Sequence, residues 1–359
     1  MDRDILAATR EYETWLASQI PVVRADLRLK HERMAESPFV FLRGTFYRWI
    51  QRWPTLGRNV VDAPRVLAVG DLHVENFGTW RDAEGRLVWG VNDVDEACEL
   101  PYTHDLVRLA TSACLAAQDR RFVLSNRIMC DAMLQGYAGC LARGGRPIVL
   151  AERHGWLRDA ALSKLRDPEI FWRKLLKLPL ARGGAPRAVL QSALPRGAEG
   201  ARIHRRVAGV GSLGRPRFVA IADCAGGLVA REVKAWVPSA ATRAGVSGAG
   251  VFADRLLVHA VRAADPAFAI RRPWIVRRLA PDCSRIELDD LPKQRDERRL
   301  LQAMGWETAN MHACGGTRRT AIVRDLSARK AGWLLDAAGA MVEATVEDWR
   351  VWKRKGRTV

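Results

Sequence analysis

The sequence predicts an α+β fold with two lobes, one larger and mainly helical, the other smaller and rich in β-strands. Three observations support this prediction. Apolar residues recur at helical spacing over residues 4–35 and again from Asp105 onward. Residues 205–237 alternate between β-like runs and glycine turns. A stretch rich in Gly, Pro and Arg, residues 182–200, separates these two patterns.

These changes of pattern set the predicted domain boundaries. Residues 1–180 form the first part of the helical lobe, and residues 181–200 are a linker. Residues 201–280 form the β-rich lobe, and residues 281–359 supply helices that complete the larger lobe. The chain of 359 residues is long enough for two lobes with a sizeable buried core.

In the first part of the chain, the helical pattern of residues 4–35 is broken by Ser37-Pro38, and residues 39–44 are predicted to be a short extended run. Residues 65–70 are apolar and β-like. The segments NFGTW and LVWGV, joined by a polar turn, predict a β-hairpin. A helix begins near Asp105, and a second one follows the N-cap candidate Ser125.

The later elements follow the same reasoning. Residues 156–178 are helical and basic. Three strands are predicted within residues 205–237, a helix over residues 249–263 and a further strand over residues 274–280. From about residue 293 the pattern is helical.

The formal net charge of +18 favours anionic partners. The arginines are spread along the whole chain, and no RNA-binding motif with stacking aromatic residues accompanies them. A nucleotide or an acidic metabolite is therefore favoured over nucleic acid. An arginine-rich surface without a specific partner explains the charge equally well.

The cellular compartment is predicted from what the sequence lacks. No run of about 18 apolar residues predicts a membrane span, and the N-terminus has no apolar secretory segment. The seven cysteines are too widely spaced to predict a disulfide framework or a zinc site. We therefore expect a cytoplasmic protein with reduced cysteines.

The first candidate site is built from Asp71, Asn76 and Asp93. Asn76 precedes the predicted hairpin and Asp93 follows it, so the two ends of the hairpin should bring them together. An amide oxygen and a carboxylate form a hard-oxygen site that suits Mg²⁺ and leaves room for phosphate. Asp71, on the preceding loop, could orient the proton of an attacking hydroxyl, and Asp95 is a further acid for the metal.

Each of these residues also has an ordinary structural explanation. A single Asp is more often a turn or cap residue, and His73 is more often a structural hydrogen-bonding group. The segment Asp71-Leu72-His73 also resembles the opening of a metallophosphoesterase site. Those enzymes need further Asp- and His-containing motifs, and this chain has no Gly-Asn-His segment.

The second candidate site is the sequence GVGSLG, which contains Gly209, Gly211, Ser212 and Gly214. A dinucleotide-binding turn of this pattern must open a helix. Here a β-like segment follows, so the glycines are predicted to lie between two strands. Backbone N–H groups in such a loop can lie over phosphates, and Lys234 on a following strand can contact them. An exposed lysine on an edge strand is the alternative.

Together these motifs resemble the protein kinases and the aminoglycoside phosphotransferases. The resemblance implies that Asp71 is the catalytic base and that Asn76 and Asp93 hold Mg²⁺. His73 stands where protein kinases often place a lysine that contacts the γ-phosphate. Asp105 stands where an Asp braces the backbone of the catalytic loop, although a plain helix N-cap is an equal alternative.

The resemblance also implies that Lys234 binds the α- and β-phosphates of ATP and that residues 274–280 contact the adenine. Kinases pair this lysine with a glutamate on a helix, and the corresponding helix here offers only Asp254. Either Asp254 replaces that glutamate, or the pair is absent. The glycine loop follows the catalytic loop instead of preceding it. The implied fold is therefore a circularly permuted kinase-like fold with two lobes, which is tolerated when the new termini lie in surface loops.

The sequence is also similar to a bacterial family of unknown function, the DUF2252 proteins. The matching segments are RMAESPFVFLRG (33–44), GDLHVENFG (70–78), NDVDEA (92–97), DLVRLA (105–110), VAGVGSLG (207–214) and VKAW (233–236). This family supplies no reaction.

The predicted function is therefore transfer of the γ-phosphoryl group of ATP, with Mg²⁺, to an unidentified hydroxyl of a small molecule or a protein. Two alternatives remain open: a nucleotide-binding module without catalysis, as in a pseudokinase, and transfer of AMP. The acceptor could be a sugar, an aminoglycoside, a lipid headgroup or a protein.

Overall fold

The fold is described from a computed structural model of the chain. It covers residues 4–119, 121–150, 154–162, 167–246, 248, 252–283, 295–312 and 316–356. Helices and small antiparallel sheets make a mixed α+β fold, as the sequence predicts.

The chain begins with five helices. They are α1 (Ile5–Gln19), α2 (Arg24–Met34), α3 (Pro38–Gly44), α4 (Phe46–Arg52) and α5 (Arg58–Val61). The predicted extended run at residues 39–44 is wrong, because this segment is α3. Ser37 does not break the structure but caps the helix, its side chain accepting a hydrogen bond from the Val40 amide. Pro38 is well placed because the first turn needs no amide donor from it.

Four short strands and two long helices follow. They are β1 (Arg65–Ala68), β2 (Phe77–Arg81), β3 (Leu87–Val91), β4 (Cys98–Pro101), α6 (Tyr102–Gln118) and α7 (Asn126–Arg143). Strand β1 pairs with β4, and β2 and β3 form the predicted hairpin, which β5 (Ile148–Val149) extends. Ser125 caps α7 as expected, accepting a hydrogen bond from the Ile128 amide.

The third sheet is the β-rich part of the molecule. Helices α8 (Gly155–Leu162), α9 (Pro168–Leu176) and α10 (Arg187–Ala193) precede it. Its strands are β6 (Glu199–Arg205), β7 (Arg217–Cys224), β8 (Gly227–Ala235), β9 (Ala269–Arg271) and β10 (Trp274–Leu279). All pairs are antiparallel, in the order β6-β7-β8-β10-β9.

The remaining elements are helices. They are α11 (Ala240–Arg243), α12 (Phe252–His259), α13 (Arg295–His312), α14 (Gly316–Ala328) and α15 (Trp333–Lys355). Helices α7 and α13 pack very closely at two glycines. An added Cβ would lie 1.8 Å from the Gln302 carbonyl oxygen at Gly136, and 2.0 Å from the Met133 carbonyl oxygen at Gly305. Part of the predicted helix at 249–263 lies outside the described residues.

The five-stranded sheet has apolar packing on both faces. On one face Leu190 of α10 packs with Phe218 and Val233, and on the other Phe171 of α9 packs with Val219. The segment predicted as a linker thus contains α10 and the start of β6. A much larger apolar cluster joins the N-terminal helices with α6, α7, α13 and α15.

Two compositional predictions can be compared with the structure. Among the described cysteines none forms a disulfide, and Cys98, Cys114, Cys130 and Cys140 are buried. Cys314 lies outside the described residues. In the described part of the chain, no helix combines the length and the apolar character needed to cross a bilayer.

Candidate functional site

The hairpin of β2 and β3 brings Asn76 and Asp93 to the same end of one ladder. Phe77 pairs with Val91, and the Asn92 amide donates to the Asn76 carbonyl oxygen at 3.0 Å. Asn76 and Asp93 therefore stand beside each other where the two strands enter and leave the sheet. Both line one cavity together with Asp71.

Asp71 lies on the loop between β1 and the hairpin. The Asn76 side-chain amide donates to the Asp71 carbonyl oxygen at 2.7 Å, which fixes the loop to the hairpin. The Asp71 carboxylate accepts a hydrogen bond of 2.9 Å from Nε of Arg108, a fully buried residue of α6. Burial raises the pKa of Asp71, although Arg108 opposes this effect.

Asp105, in the first turn of α6, holds the backbone that leads into this loop. Its carboxylate accepts hydrogen bonds from the amides of Val69 at 2.7 Å and Gly70 at 3.0 Å. His312, the last residue of α13, lies 3.1 Å from the same carboxylate through Nε2. Burial disfavours the charge, but hydrogen bonds from His104 and His312 hold the pKa of Asp105 well below its usual range.

His73 begins a short 3₁₀ turn in the same loop. Its Nδ1 accepts a hydrogen bond from the Glu75 amide at 3.2 Å, and its ring is buried. Since Nδ1 accepts, it is unprotonated in this arrangement. His73 lines the same cavity as Asp71 and Asn76.

Lys234 meets the hairpin from the five-stranded sheet. This residue of β8 is almost fully buried, and its Nζ lies 3.8 Å from Oδ2 of Asp93 and in direct contact with Asp95. Burial lowers the pKa of Lys234, while the two carboxylates oppose that shift. For Asp93 the neighbouring charges, and not burial, decide the direction of the pKa shift. Burial opposes ionisation, but Lys234 and Arg277 hold its pKa well below the usual range.

Arg277 on β10 completes this ion-pair cluster and is not one of the residues predicted from the sequence. Its Nη2 donates to Oδ1 of Asp93 at 3.1 Å and lies 3.5 Å from Oδ1 of Asp95. Ile275 pairs with Lys234 in the sheet register, so strand alternation places Arg277 on the same face as Lys234. That alternation within the predicted strand was the signal available in the sequence.

Arg215 is a second cation of the site that was not predicted from the sequence. It follows the glycine loop directly and is buried, with Nη1 3.5 Å from Oδ2 of Asp95 and Nη2 donating to Glu96 at 3.1 Å. Glu96 also accepts a hydrogen bond from the Ala240 amide at 2.7 Å. Arg215 thus joins the glycine loop to the segment after the hairpin.

The predicted glycine loop lies directly over Asp71. Val210–Ser212 form a 3₁₀ turn, flanked by Gly209 and Gly214 with φ angles of 74° and 95°. Only glycine adopts this left-handed backbone at little cost. An added Cβ at Gly211 would lie 2.9 Å from the Arg43 carbonyl oxygen and 3.6 Å from Oδ2 of Asp71. The loop and the catalytic-loop candidate are therefore in close contact.

Two cavities meet at this cluster. The smaller, of about 60 Å³, lies between Asp71 and the glycine loop. The larger, of about 190 Å³, lies between the hairpin and the five-stranded sheet. Asp93, Gly209 and Ser212 line both. Among the described residues, the larger cavity is lined by arginines and by acids that pair with most of them: Arg206, Arg217, Arg262, Arg277 and Arg278, with Asp93, Glu232 and Asp265.

The predicted metal ligands offer oxygen donors. The Asn76 amide nitrogen is engaged with Asp71, which leaves the side-chain oxygen as the atom that can bind a cation. Asp93 is ionised, and Oδ1 of Asp95 is buried and accepts no hydrogen bond. Such hard oxygen donors suit Mg²⁺. Among the described residues there is no group of three or more His, Cys, Asp or Glu arranged to hold a metal.

One predicted pairing is not found. Asp254 lies exposed on α12, whereas the carboxylates beside Lys234 are Asp93 and Asp95. The suggestion that Asp254 replaces the kinase glutamate is therefore wrong. The reason is that α12 packs against β1, β4 and α13 rather than against β8.

Comparison with known proteins gives one match. No curated protein and no solved structure matches the chain significantly. The family described as "Uncharacterized protein conserved in bacteria (DUF2252)" matches residues 22–157, which contain Asp71, Asn76, Asp93 and Asp105. The glycine loop and Lys234 lie outside the segment that the family matches, residues 22–157. Over residues 22–157 the chain is thus similar to the bacterial DUF2252 family, and this match supports the assignment of that segment to it.

Proposed function

We propose that this protein is an ATP- and Mg²⁺-dependent phosphotransferase with a circularly permuted, two-lobed kinase-like arrangement. The observation that carries the proposal is the meeting of two distant segments. Lys234 of the five-stranded sheet contacts Asp93 and Asp95 after the hairpin, and the glycine loop lies on Asp71. A triphosphate between them would meet donors from both segments.

ATP would enter the larger cavity between the sheet and the hairpin. Arginines such as Arg277 line this cavity and suit the charge of a polyphosphate. Lys234 is not one of the lining residues, but its amine lies 3.8 Å from Asp93, which lines the cavity. Pockets for small molecules typically have volumes of about 300–1,000 Å³. Cavities of about 190 and 60 Å³ are smaller. Nucleotide binding therefore requires the glycine loop to move away from Asp71.

Asn76 and Asp93 would hold Mg²⁺, with Asp95 beside them. When bound, the ion neutralises the charge that develops on the phosphates. The same carboxylates now face Lys234 and Arg277. The low pKa of Asp93 thus keeps this carboxylate ionised before any cation arrives.

Asp71 would orient the acceptor hydroxyl and receive its proton. The acceptor oxygen forms the new bond to the γ-phosphorus, the bond between that phosphorus and the ADP oxygen breaks, and the proton passes to Asp71. The buried setting, which raises the pKa of Asp71, favours the protonated product state. Arg108 keeps the carboxylate in place throughout, and His73 borders the same space.

A second candidate is a nucleotide-binding module without transfer chemistry. The ion pair of Asp71 with Arg108 favours it, because a carboxylate neutralised by a buried guanidinium is a weaker base. In kinases the corresponding lysine pairs with a glutamate on a helix, whereas Lys234 here pairs with Asp93 and Asp95 after the hairpin. This difference also favours the module. Transfer of AMP instead of the phosphoryl group is a third candidate.

Phosphorus NMR of ATP incubated with the protein and Mg²⁺ separates these candidates. Phosphoryl transfer, to water or to an added alcohol, yields ADP, whereas AMP transfer yields pyrophosphate. Asp71→Asn should abolish turnover and leave MgATP binding intact. Exposed Asp131→Asn on α7 serves as the matched control. Binding without turnover in the wild type would favour the module.

A further inference from the structure

A third cavity lies away from the proposed nucleotide site and is larger than either cavity there, at about 540 Å³. Its walls come from the end of α7, the loop that leads to β5, the start of α8 and the middle of α13. A volume of this size falls within the range of small-molecule pockets. It shares no lining residue with the two cavities beside Asp93.

The charged side chains that line this cavity are basic in the part of the chain that the structure describes. Arg143, Arg146, Arg299 and His154 line it, and no Asp or Glu does so among the described residues. Arg143 and Arg146 are exposed, and the side chain of Arg299 is 47% exposed, with Asp296 3.5 Å away. Several guanidinium groups around one opening attract a carboxylate or a phosphate.

Two tryptophans supply flat apolar faces in the same cavity. The guanidinium of Arg143 lies 5.8 Å from the ring centre of Trp306, and that of Arg299 lies 5.5 Å from the ring centre of Trp156. Pro147, Ile148 and Ala303 add apolar lining. An aromatic ring can stack against such surfaces.

The loop that carries Arg146 is held rigidly from beneath. Buried Asn310 accepts a hydrogen bond from the Arg146 amide at 3.1 Å and donates to its carbonyl oxygen at 2.8 Å. Trp306 also donates to that carbonyl oxygen, at 3.0 Å. Gly145, with φ of 77°, permits the turn, since an added Cβ would lie 3.0 Å from the Asn310 side chain. A pre-formed wall reduces the entropy lost on binding.

We infer that this cavity binds a planar organic anion, with an aromatic ring between the tryptophans and a carboxylate or phosphate among the arginines. The inference is independent of the proposed phosphotransferase activity. It assigns the ring to Trp156 and Trp306 and the anionic group to Arg143, Arg146 and Arg299.

Calorimetric titration with 1-naphthyl phosphate tests the inference, with 1-naphthoate as the carboxylate probe and 1-naphthol as the neutral one. Both anions should bind with one-to-one stoichiometry, and the neutral alcohol at least tenfold more weakly. The double variant Arg143→Gln/Arg299→Gln should weaken anion binding at least tenfold. The variant Trp306→Leu should weaken all three probes.

Two controls keep the test specific. Lys353→Gln removes a cation that lies 4.9 Å from the Trp349 ring in α15 and lines none of these three cavities, so it should leave binding unchanged. Asp93→Asn should also leave it unchanged, which separates this site from the nucleotide site. The inference is overturned if neither anion binds at 1 mM, or if the arginine double variant binds them as the wild type does.

Discussion

The Nζ atom of Lys234 lies 3.8 Å from the Oδ2 atom of Asp93, although one residue belongs to β8 and the other follows the hairpin of β2 and β3. Asp95 contacts the same amine, and Arg277 donates to Asp93. This cluster joins the five-stranded sheet to the hairpin with charges that are mostly buried. Its integrity should therefore affect both folding and ligand binding.

Lys234→Met is expected to destabilise the protein by about 3 kcal/mol, because removing one partner of a buried ion pair leaves charges uncompensated. Arg277 and Arg215 still face Asp95, which keeps the loss at the lower end of the usual range. Urea unfolding measures the change. Exposed Lys174→Met on α9 is the control and should change stability by less than about 0.5 kcal/mol. Equal stability of the two variants would contradict the described cluster.

Asp105→Asn should also destabilise the protein, by about 2–4 kcal/mol. The buried carboxylate accepts from two backbone amides and faces His312, and a neutral amide cannot replace all of these contacts. Thermal unfolding followed by circular dichroism gives the change. Asp131→Asn, at an exposed position of α7, removes a charge without these contacts. A variant as stable as this control would show that Asp105 does not hold the loop.

Gly211→Ala should lower the melting temperature and displace the glycine loop from Asp71. The added methyl group would lie 2.9 Å from the Arg43 carbonyl oxygen, which cannot move without its helix α3. Overpacking of this kind costs about 1–3 kcal/mol. Gly227→Ala in β8 meets no atom within 4 Å and is the matched control. Identical melting temperatures for the two variants would argue against the close approach.

Glu307 on α13 should make stability depend on pH near neutrality. Its carboxyl group accepts hydrogen bonds from the Val91 amide and the Asn310 side chain, and burial raises its pKa to about 7 from 4.5. Between these values the folded protein binds the proton more tightly than the unfolded chain does. The free energy of unfolding therefore falls as pH rises, by about 3 kcal/mol in total.

Glu307→Gln should remove this slope, since the amide keeps the shape of the protonated acid and does not titrate. Urea unfolding at several pH values between 4.5 and 8 measures the free energy of unfolding and therefore this slope. Exposed Glu343→Gln should keep the wild-type profile. A profile for Glu307→Gln that still falls like the wild type would assign the pH dependence to another group.

Local patterns in the sequence predicted the parts of the site that depend on one hairpin or one helix start. Strand alternation and a polar turn were enough to place Asn76 beside Asp93. The reason is that the two ends of a hairpin lie together independently of the rest of the fold. The helix that begins near Asp105 was predicted for the same reason, from helical spacing alone. The error at residues 38–44 arose because Ser-Pro serves both as a breaker and as a helix start.

The ion-pair network could not be predicted in the same way. Arg277, Arg215 and Arg108 reach their carboxylates only after separate sheets and helices pack together. Arg108 stands three residues after Asp105 and thus on the same face of α6, a spacing visible in the sequence. Which acid it meets depends on the position of the Asp71 loop, and that is a property of the tertiary fold.

The central claim is that the sheet of Lys234 and the hairpin of Asp93 together bind MgATP. Isothermal titration of ATP, with and without Mg²⁺, into the wild type and into Asp93→Asn tests it most directly. We predict Mg²⁺-dependent binding to the wild type and an affinity at least tenfold lower for Asp93→Asn, equal to about 1.4 kcal/mol. A folded wild type that does not bind MgATP, or an Asp93→Asn variant that binds it equally well, would contradict the claim.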